Sequence, residues 1–294
     1  MKKLLAMALI GCMAFSMVAC GSDNGGAQTN EAETSTDDSA ATPAEEEEAE
    51  APSQEQEETG SDESASSGDK VWTVATDTVF RPFEFTNEQG EFVGIDVDIL
   101  AAIAEDQGFE YELNSLGWDA AVAAVQAGQA DAIIAGATIK QERIDSGWMF
   151  SDGYYNATQT FVVAEGSDIK GFEDLAGKNV AVKNGTAGMD FANSLKDEYG
   201  FTTTVFEDSP TMYQDVLLGN SAACVEDTPI MADSIKIGNL ALVIPEGMES
   251  EGAPYGFAIM NESNKELLDM FNAGLANIKA NGKYDEIIAK YLGE

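Results

Sequence analysis

Arg81 and Arg143 are the only two arginines in 294 residues, and Arg143 follows closely on a turn of small residues, Gly136-Ala137-Thr138. A guanidinium can grip a carboxylate through two parallel hydrogen bonds. Thr138 followed by Gln141 has capping-box spacing, which predicts a helix start at this turn; a helix N-terminus offers free N–H groups to an anion. An ordinary cap and a solvated helix arginine are the plainer readings. A second small-residue loop, Lys183-Asn184-Gly185-Thr186-Ala187-Gly188, stands after the apolar run Val180 to Val182. It suits presentation of backbone N–H groups to an anion, or it is simply a flexible turn. Glu226-Asp227-Thr228-Pro229 follows Ala222 to Val225. Thr228 with Pro229 reads as a helix cap and first helical position. Asp227 either assists that cap or faces a cleft as partner for an ammonium. Phe80 and Trp118 can wall such a cleft, or belong to the core.

The elements that must hold these residues can be read from periodicity and punctuation. Val71 to Ala75 is a β-branched strand ending at Asp77, which opens the stretch Asp77-Thr78-Val79-Phe80-Arg81-Pro82-Phe83-Glu84-Phe85. Asp96 reads as a cap before a helix bearing Ile99 and Ile103, closed by Gly108. Tyr111 to Leu113 is the next strand, Trp118-Asp119 opens a helix ended by Gly128, and Asp131 to Ala135 is an apolar strand. Short connections between alternating strands and helices predict a parallel sheet covered on both faces. After a break near Tyr155 the alternation resumes with strands at 161–163, 180–182 and 222–225 and helices through Phe191 and Tyr213. Lys265 to Leu292 reads as helical, with the C-terminal stretch returning to the first lobe. The fold class is α/β, with two lobes. Open sheets of this kind bind ligands beyond the carboxyl ends of their strands, and the candidate residues all stand there.

Composition removes several function classes. The chain has no histidine and a net charge of −38. That leaves no His-ligated zinc, no Ser-His-Asp or Cys-His machinery, and no basic footprint for nucleic acid. No metal, cofactor or catalytic residue is expected. Cys224 is the one cysteine beyond residue 20, so no internal disulfide can form in the body.

Residues 1–20 read as an export signal: Lys2 and Lys3, then an apolar run from Leu4 to Ala19 that stops at Cys20. Val18-Ala19-Cys20 resembles the lipobox of bacterial lipoproteins, with Met17 standing where leucine is usual. Simple secretion and an uncleaved anchor are the alternatives. A diacylated Cys20 meets the need for more than one chain in stable anchoring. Residues 21–69 contain sixteen Asp/Glu, no Lys or Arg, and no aromatic residue, so they read as a disordered acidic tether. Such a chain spans about 40 Å or more. Cation binding by Glu45 to Glu48 is the lesser alternative. A lipid-anchored protein on the outer face of the cytoplasmic membrane follows, in an envelope of Gram-positive type.

The motifs ATDTVFRPFEF, GIDVDI, GWDAAVAAVQAGQADAIIAGATIKQER, FSDGYY, FEDLAGKNVAVKNGTAG, VEDTP and PYGFAI occur in one order across residues 70–294. In this the chain resembles the extracytoplasmic solute-binding proteins that serve ABC importers of polar amino acids, the glutamine binders in particular. The resemblance implies a type II periplasmic-binding architecture, with a first lobe at 70–157, a second at 158–250 and a return segment at 251–294. It implies a monomer that closes around a free amino acid and delivers it to a permease and its ATPase. Carried over, Arg143, Thr138 and the Ala187 N–H take the α-carboxylate. Asp227, the Gly136 carbonyl and the Thr138 hydroxyl take the α-ammonium. Phe80 and Trp118 sandwich the side chain, and Asp77 with Lys183 stands where a side-chain amide is met. Glu226 departs from the usual Thr or His; it either pairs with Lys183 or recognises a cationic end. Glutamine or another polar neutral ligand comes first, and basic amino acids or cystine second. A dehydratase using Lys183 and Glu226, or a sensor domain for a receptor, are readings of another class.

Overall fold

The computed structural model describes residues 70–293. The export signal with Cys20, the acidic tether and the Glu45–Glu48 run lie outside the described residues.

Strand β1 (Val71–Thr76) is followed by the hairpin β2 (Phe85–Thr86) and β3 (Phe92–Val93), helix α1 (Ile95–Gln107) and β4 (Glu110–Ser115). Then come α2 (Trp118–Gln126), β5 (Ala132–Ile133), the short α3 (Gln141–Asp145) and β6 (Met149–Phe150). The chain crosses on β7 (Tyr155–Ala157) into β8 (Gln159–Ala164), β9 (Asn179–Lys183), α4 (Ala187–Tyr199) and β10 (Thr202–Phe206). It continues through α5 (Ser209–Leu217), β11 (Ala223–Asp227), α6 (Thr228–Gly238) and β12 (Leu242–Val243). It returns on β13 (Ala253–Tyr255) to β14 (Ala258–Ile259) and finishes with α7 (Lys265–Ala280) and α8 (Lys283–Leu292).

Two five-stranded sheets result, in the orders β4-β1-β5-β14-β6 and β10-β9-β11-β8-β12. The expected parallel pairing holds for β1 with β4 and β5, and for β9 with β10 and β11. Each sheet is nonetheless mixed. β14 runs antiparallel to β5 and β6, and β8 antiparallel to β11 and β12. The reason is topological. A strand arriving from the other lobe enters at the end where the parallel strands finish, so it must run against them. β7 and β13 make the crossing side by side, with Ala157 opposite Ala253 and Tyr155 opposite Tyr255.

The central strands of each sheet are buried on both faces, as continuous apolar runs demand. In β8, Phe161 and Val163 pack toward Ala192 of α4, while Val162 on the opposite face meets Met212, Cys224 and Met231. In the first lobe Ile99 and Ile103 of α1 pack against Leu267, Phe271 and Leu275 of α7. The other face is sealed by Ala121 and Val125 of α2 with Ile133 and Trp148. Cys224 is a buried free thiol.

Three local expectations are corrected by tertiary bonds. Asp96 is not a cap: Gly94 holds the N-cap position of α1, and Asp96 lies in the first turn with its carboxylate turned inward. A side chain at Gly94 would meet the Phe83 carbonyl oxygen at 1.9 Å, so only glycine lets this helix start press onto the preceding turn. Thr138 does not start a helix either; α3 begins at Gln141 with Lys140 at its N-cap and no side-chain cap bond. Thr138 is instead bridged to Tyr255, and Ile139 donates its N–H to Pro254, which keeps this backbone extended. At α6 the register is one residue off: Asp227 is the N-cap, and Thr228 and Pro229 open the helix. Asp227 still belongs to the β11 ladder, opposite Gln159.

Candidate ligand-binding cleft

Charged groups at the ends of β1, β9 and β11 converge between the two sheets. Asp77, Phe80, Trp118, Gly136, Thr138 and Arg143 from the first lobe line one cleft with Lys183, Ala187, Glu226 and Asp227 from the second. Thr186 and Ala135 complete its wall. The walls leave about 20 Å³ between them. That is room for a water molecule and far short of an amino acid, so a larger ligand enters only when the lobes part.

Arg143 comes from α3, and its guanidinium is buried. It donates to the Thr138 carbonyl at 2.8 Å and, across the cleft, to the Gly185 carbonyl at 3.1 Å. The Trp118 and Trp148 rings lie 4.8 and 5.1 Å from it. Burial lowers its pKa to about 10, opposed by Asp190 and Asp227, so it stays cationic at neutral pH. The Ala187 N–H stands at the start of α4, where Thr186 is the N-cap and its hydroxyl accepts from Met189. That helix end, unlike α3, is a full N-terminus aimed at the cleft wall.

Asp227 lines the same cleft at the end of β11. Gln159 donates to it at 2.9 Å and the Tyr255 hydroxyl at 2.5 Å. Burial and the neighbouring Glu226 raise its pKa to about 6, against the pull of Tyr255, Gln159 and Arg143.

Asp77 and Lys183 face each other across the cleft at 2.5 Å, both almost wholly buried. Burial works against the Lys183 ammonium, but the carboxylates of Asp77 and Glu226 outweigh it and hold its pKa above the ordinary value. Phe80 lies beside this pair, its ring 5.4 Å from the ammonium. Glu226 accepts from Ser209 at 2.6 Å, from Tyr213 at 2.7 Å and from its neighbour's N–H at 3.0 Å. Of the two roles expected for Glu226, pairing with Lys183 is present only as a charge interaction at a distance; Asp77 is the direct partner of Lys183.

Three more contacts bridge the lobes outside the cleft: Arg81 with Asp233 at 2.6 Å, Asn184 with Asp119 at 2.9 Å, and Lys140 with Asp190. Sequence reasoning missed Gln159 and Tyr255 as partners of Asp227. Tyr255 lay within the PYGFAI motif, while nothing in the run around Gln159 marked it. Among the described residues, no cluster of acidic or thiol side chains could hold a metal ion, and no helix is long and apolar enough to cross a membrane.

Residues 72–294 match the family described as bacterial extracellular solute-binding proteins, family 3. The chain belongs to that family. Among relatives of this solute-binding protein, the arginine-binding extracellular protein ArtP of Bacillus subtilis is 28% identical over 297 residues, covering 99% of this chain and 98% of that one. The arginine-, lysine-, histidine-binding protein ArtJ of Geobacillus stearothermophilus is 33% identical, with a TM-score of 0.70 over 76% of this chain and 96% of that one. The second substrate-binding domain of GlnP from Lactococcus lactis, in an open conformation, is 42% identical with a TM-score of 0.54, over 76% and 96% of the two chains. The two sheets joined by β7 and β13 are the two-lobed type II periplasmic-binding architecture of the family.

Proposed function

We propose that this solute-binding protein is the capture component of an ABC importer, closing its lobes around one free polar amino acid. The observation that carries the reading is the cleft's polarity. A cationic guanidinium and a helix N-terminus line the same cleft as the Asp227 carboxylate. A zwitterion complements that combination of charge. Arg143, the Thr138 backbone and the Ala187 N–H take its carboxylate; Asp227, the Gly136 carbonyl and the Thr138 hydroxyl take its ammonium.

Glutamine is the leading ligand because Asp77 and Lys183 offer one acceptor and one donor, the complement of an amide. Basic amino acids, or a cystine-like diamino ligand, form the second reading. They are favoured by the cleft's three carboxylates, Asp77, Glu226 and Asp227, against two cations. Glu226 is already held by two hydroxyls, so it shapes the field around Lys183 and has no need of ligand contact to be satisfied.

A thermal-shift panel of the twenty amino acids and cystine, after stripping of copurified ligand, tests this. A ligand at 100 times its dissociation constant adds about 2.7 kcal/mol. A shift with glutamine but not with arginine or lysine is expected; no shift with any amino compound overturns the reading. The ammonium site sets a pH limit as well. Asp227 must be ionised to hold the amine, and its pKa stands at about 6. Calorimetric affinity is expected to fall as pH drops through that value, about tenfold for each further unit. Affinity unchanged down to pH ~4.5 would remove Asp227 from the ammonium site.

The reading includes lipid attachment through Cys20, the acidic segment as a spacer, a monomeric state, and a place on the outer face of a Gram-positive-type cytoplasmic membrane. Release of the protein into the medium by Cys20→Ala tests the anchor. Turnover finds no support in the cleft. Lys183 is held protonated by Asp77, and the Glu226 carboxyl oxygen is engaged by two hydroxyl donors, so neither offers a free general base.

A further inference from the structure

Behind the wall that carries Gly136 lie two acidic side chains with no part in the binding scheme above. Glu84 and Asp96 are both fully buried. The turn from Phe80 to Glu84 is closed by the Phe80 N–H on the Glu84 carbonyl at 2.8 Å. The start of α1 presses onto this turn, with the Asp96 N–H on the Phe83 carbonyl at 2.9 Å. That approach, open only to glycine at position 94, brings the two carboxyl groups within hydrogen-bonding reach of each other. Asp96 Oδ2 accepts the Gly136 N–H at 2.8 Å and the Tyr154 hydroxyl at 2.8 Å. Asp96 Oδ1 and both Glu84 oxygens meet no donor.

Two ionised carboxylates are acceptors only, and side by side in a dry interior they repel. One proton between them resolves both problems, since it turns an acceptor into a donor. We propose that Glu84 is a positioning residue for the binding turn: as the neutral acid it donates to Asp96 Oδ1, and so fixes the carboxylate that holds the Gly136 N–H. Gly136 is packed at the turn by Phe80, whose ring a side chain there would meet at 2.4 Å. The amide tie adds direction to that packing. The inference rests on the assignment of Gly136 to the ammonium site.

The groups facing the pair agree. Around Glu84 stand Asp96, Asp77, Lys183 and Tyr154; around Asp96, Glu84 and Tyr154. Burial lifts Glu84 well above the carboxylate range, Asp96 and Asp77 push it further, and Lys183 only partly opposes them. Burial lifts Asp96 to about 7, against the hydrogen bonds from Gly136, Tyr154 and Glu84. At neutral pH the folded pair keeps a proton that the unfolded chain, titrating near ~4, has released. Its contribution to stability is therefore full below the unfolded value and is lost as pH rises through the folded one.

The test uses the full chain with Glu84→Gln, which keeps a donor but no titrating proton, and Glu84→Met, which keeps bulk alone. Carbon-detected carboxyl titration and the Gly136 amide resonance are followed with pH. Affinity is measured for L-glutamine and L-arginine. In wild type a carboxyl titrates at or above about 7, and the Gly136 amide shifts with it. In Glu84→Gln the Glu84 titration disappears and Asp96 is left as the one raised carboxyl of the pair, while affinity at neutral pH stays near wild type and its decline toward alkaline pH is reduced to the ligand amine's own. In Glu84→Met affinity falls about tenfold. Should Glu84→Met not fold, the pH profile of Glu84→Gln decides. Every wild-type carboxyl titrating in the ordinary range, or a Glu84→Gln profile identical to wild type, overturns the inference. If wild type binds neither amino acid yet the Gly136 amide still tracks the shared proton, the pair's hold on the turn stands and the ligand assignment falls.

Discussion

Arg143→Ala is expected to weaken binding of a free amino acid by about 2–5 kcal/mol, roughly 30- to 5,000-fold, while the fold persists. The guanidinium has five N–H groups and gives two directions to backbone carbonyls, those of Thr138 and Gly185. Arg143 lines the cleft together with Thr186 and Ala187 at the start of α4, and has donors left over for a ligand. Removing it leaves the ligand carboxylate in a buried pocket without its main counter-charge. Arg143→Lys is not expected to restore binding, because an ammonium lacks the planar fork and could not span both carbonyls and a carboxylate. Isothermal calorimetry with the ligand found in the panel measures the loss, and circular dichroism checks the fold. Binding within a few-fold of wild type would show that the carboxylate lies elsewhere.

Lys183→Met should do comparable damage by a different route. Asp77 would then be buried without its partner, a situation that costs about 3–5 kcal/mol. The pair spans the two lobes, since Asp77 follows β1 and Lys183 ends β9. Water reaches both groups once the lobes separate, so the cost falls on closure and not on folding. Affinity should drop by two orders of magnitude or more while the urea midpoint moves little, and the radius of gyration from X-ray scattering should rise at saturating ligand. Asp77→Asn combined with Lys183→Met should recover part of the loss, because no unpaired charge remains. Equal losses in affinity and in unfolding stability would place the pair inside the folding core of one lobe, contrary to this account.

Much of this was legible in the sequence because sheet-end loops carry few kinds of residue. Val180 to Val182 and Ala223 to Val225 are buried on both faces, so they had to be uniformly apolar, and the charged residues just after them stood out. Gly108 and Gly128 closed their helices where the spacing placed them. Less could be read where a local signal met a tertiary competitor. Thr138 and Asp96 both have the letters of a helix cap. The first is held extended by its bridge to Tyr255, and the second is turned inward to Gly136 and Tyr154. Strand direction was hidden for the same reason. Nothing in the letters of β8 or β14 records from which end of its sheet it enters. Glu84 gave no sign, since an acid among aromatic residues on a turn reads as solvated until its neighbours are known.

The strand β13 ends in Tyr255, whose hydroxyl rests on Asp227. One of the two threads joining the halves of the molecule thus terminates on an oxygen of the carboxylate proposed to receive an incoming amine. On that proposal cargo recognition and the pivot are mechanically the same part, and a substitution anywhere along that ribbon is expected to alter how firmly the jaws hold even though it never touches what they carry.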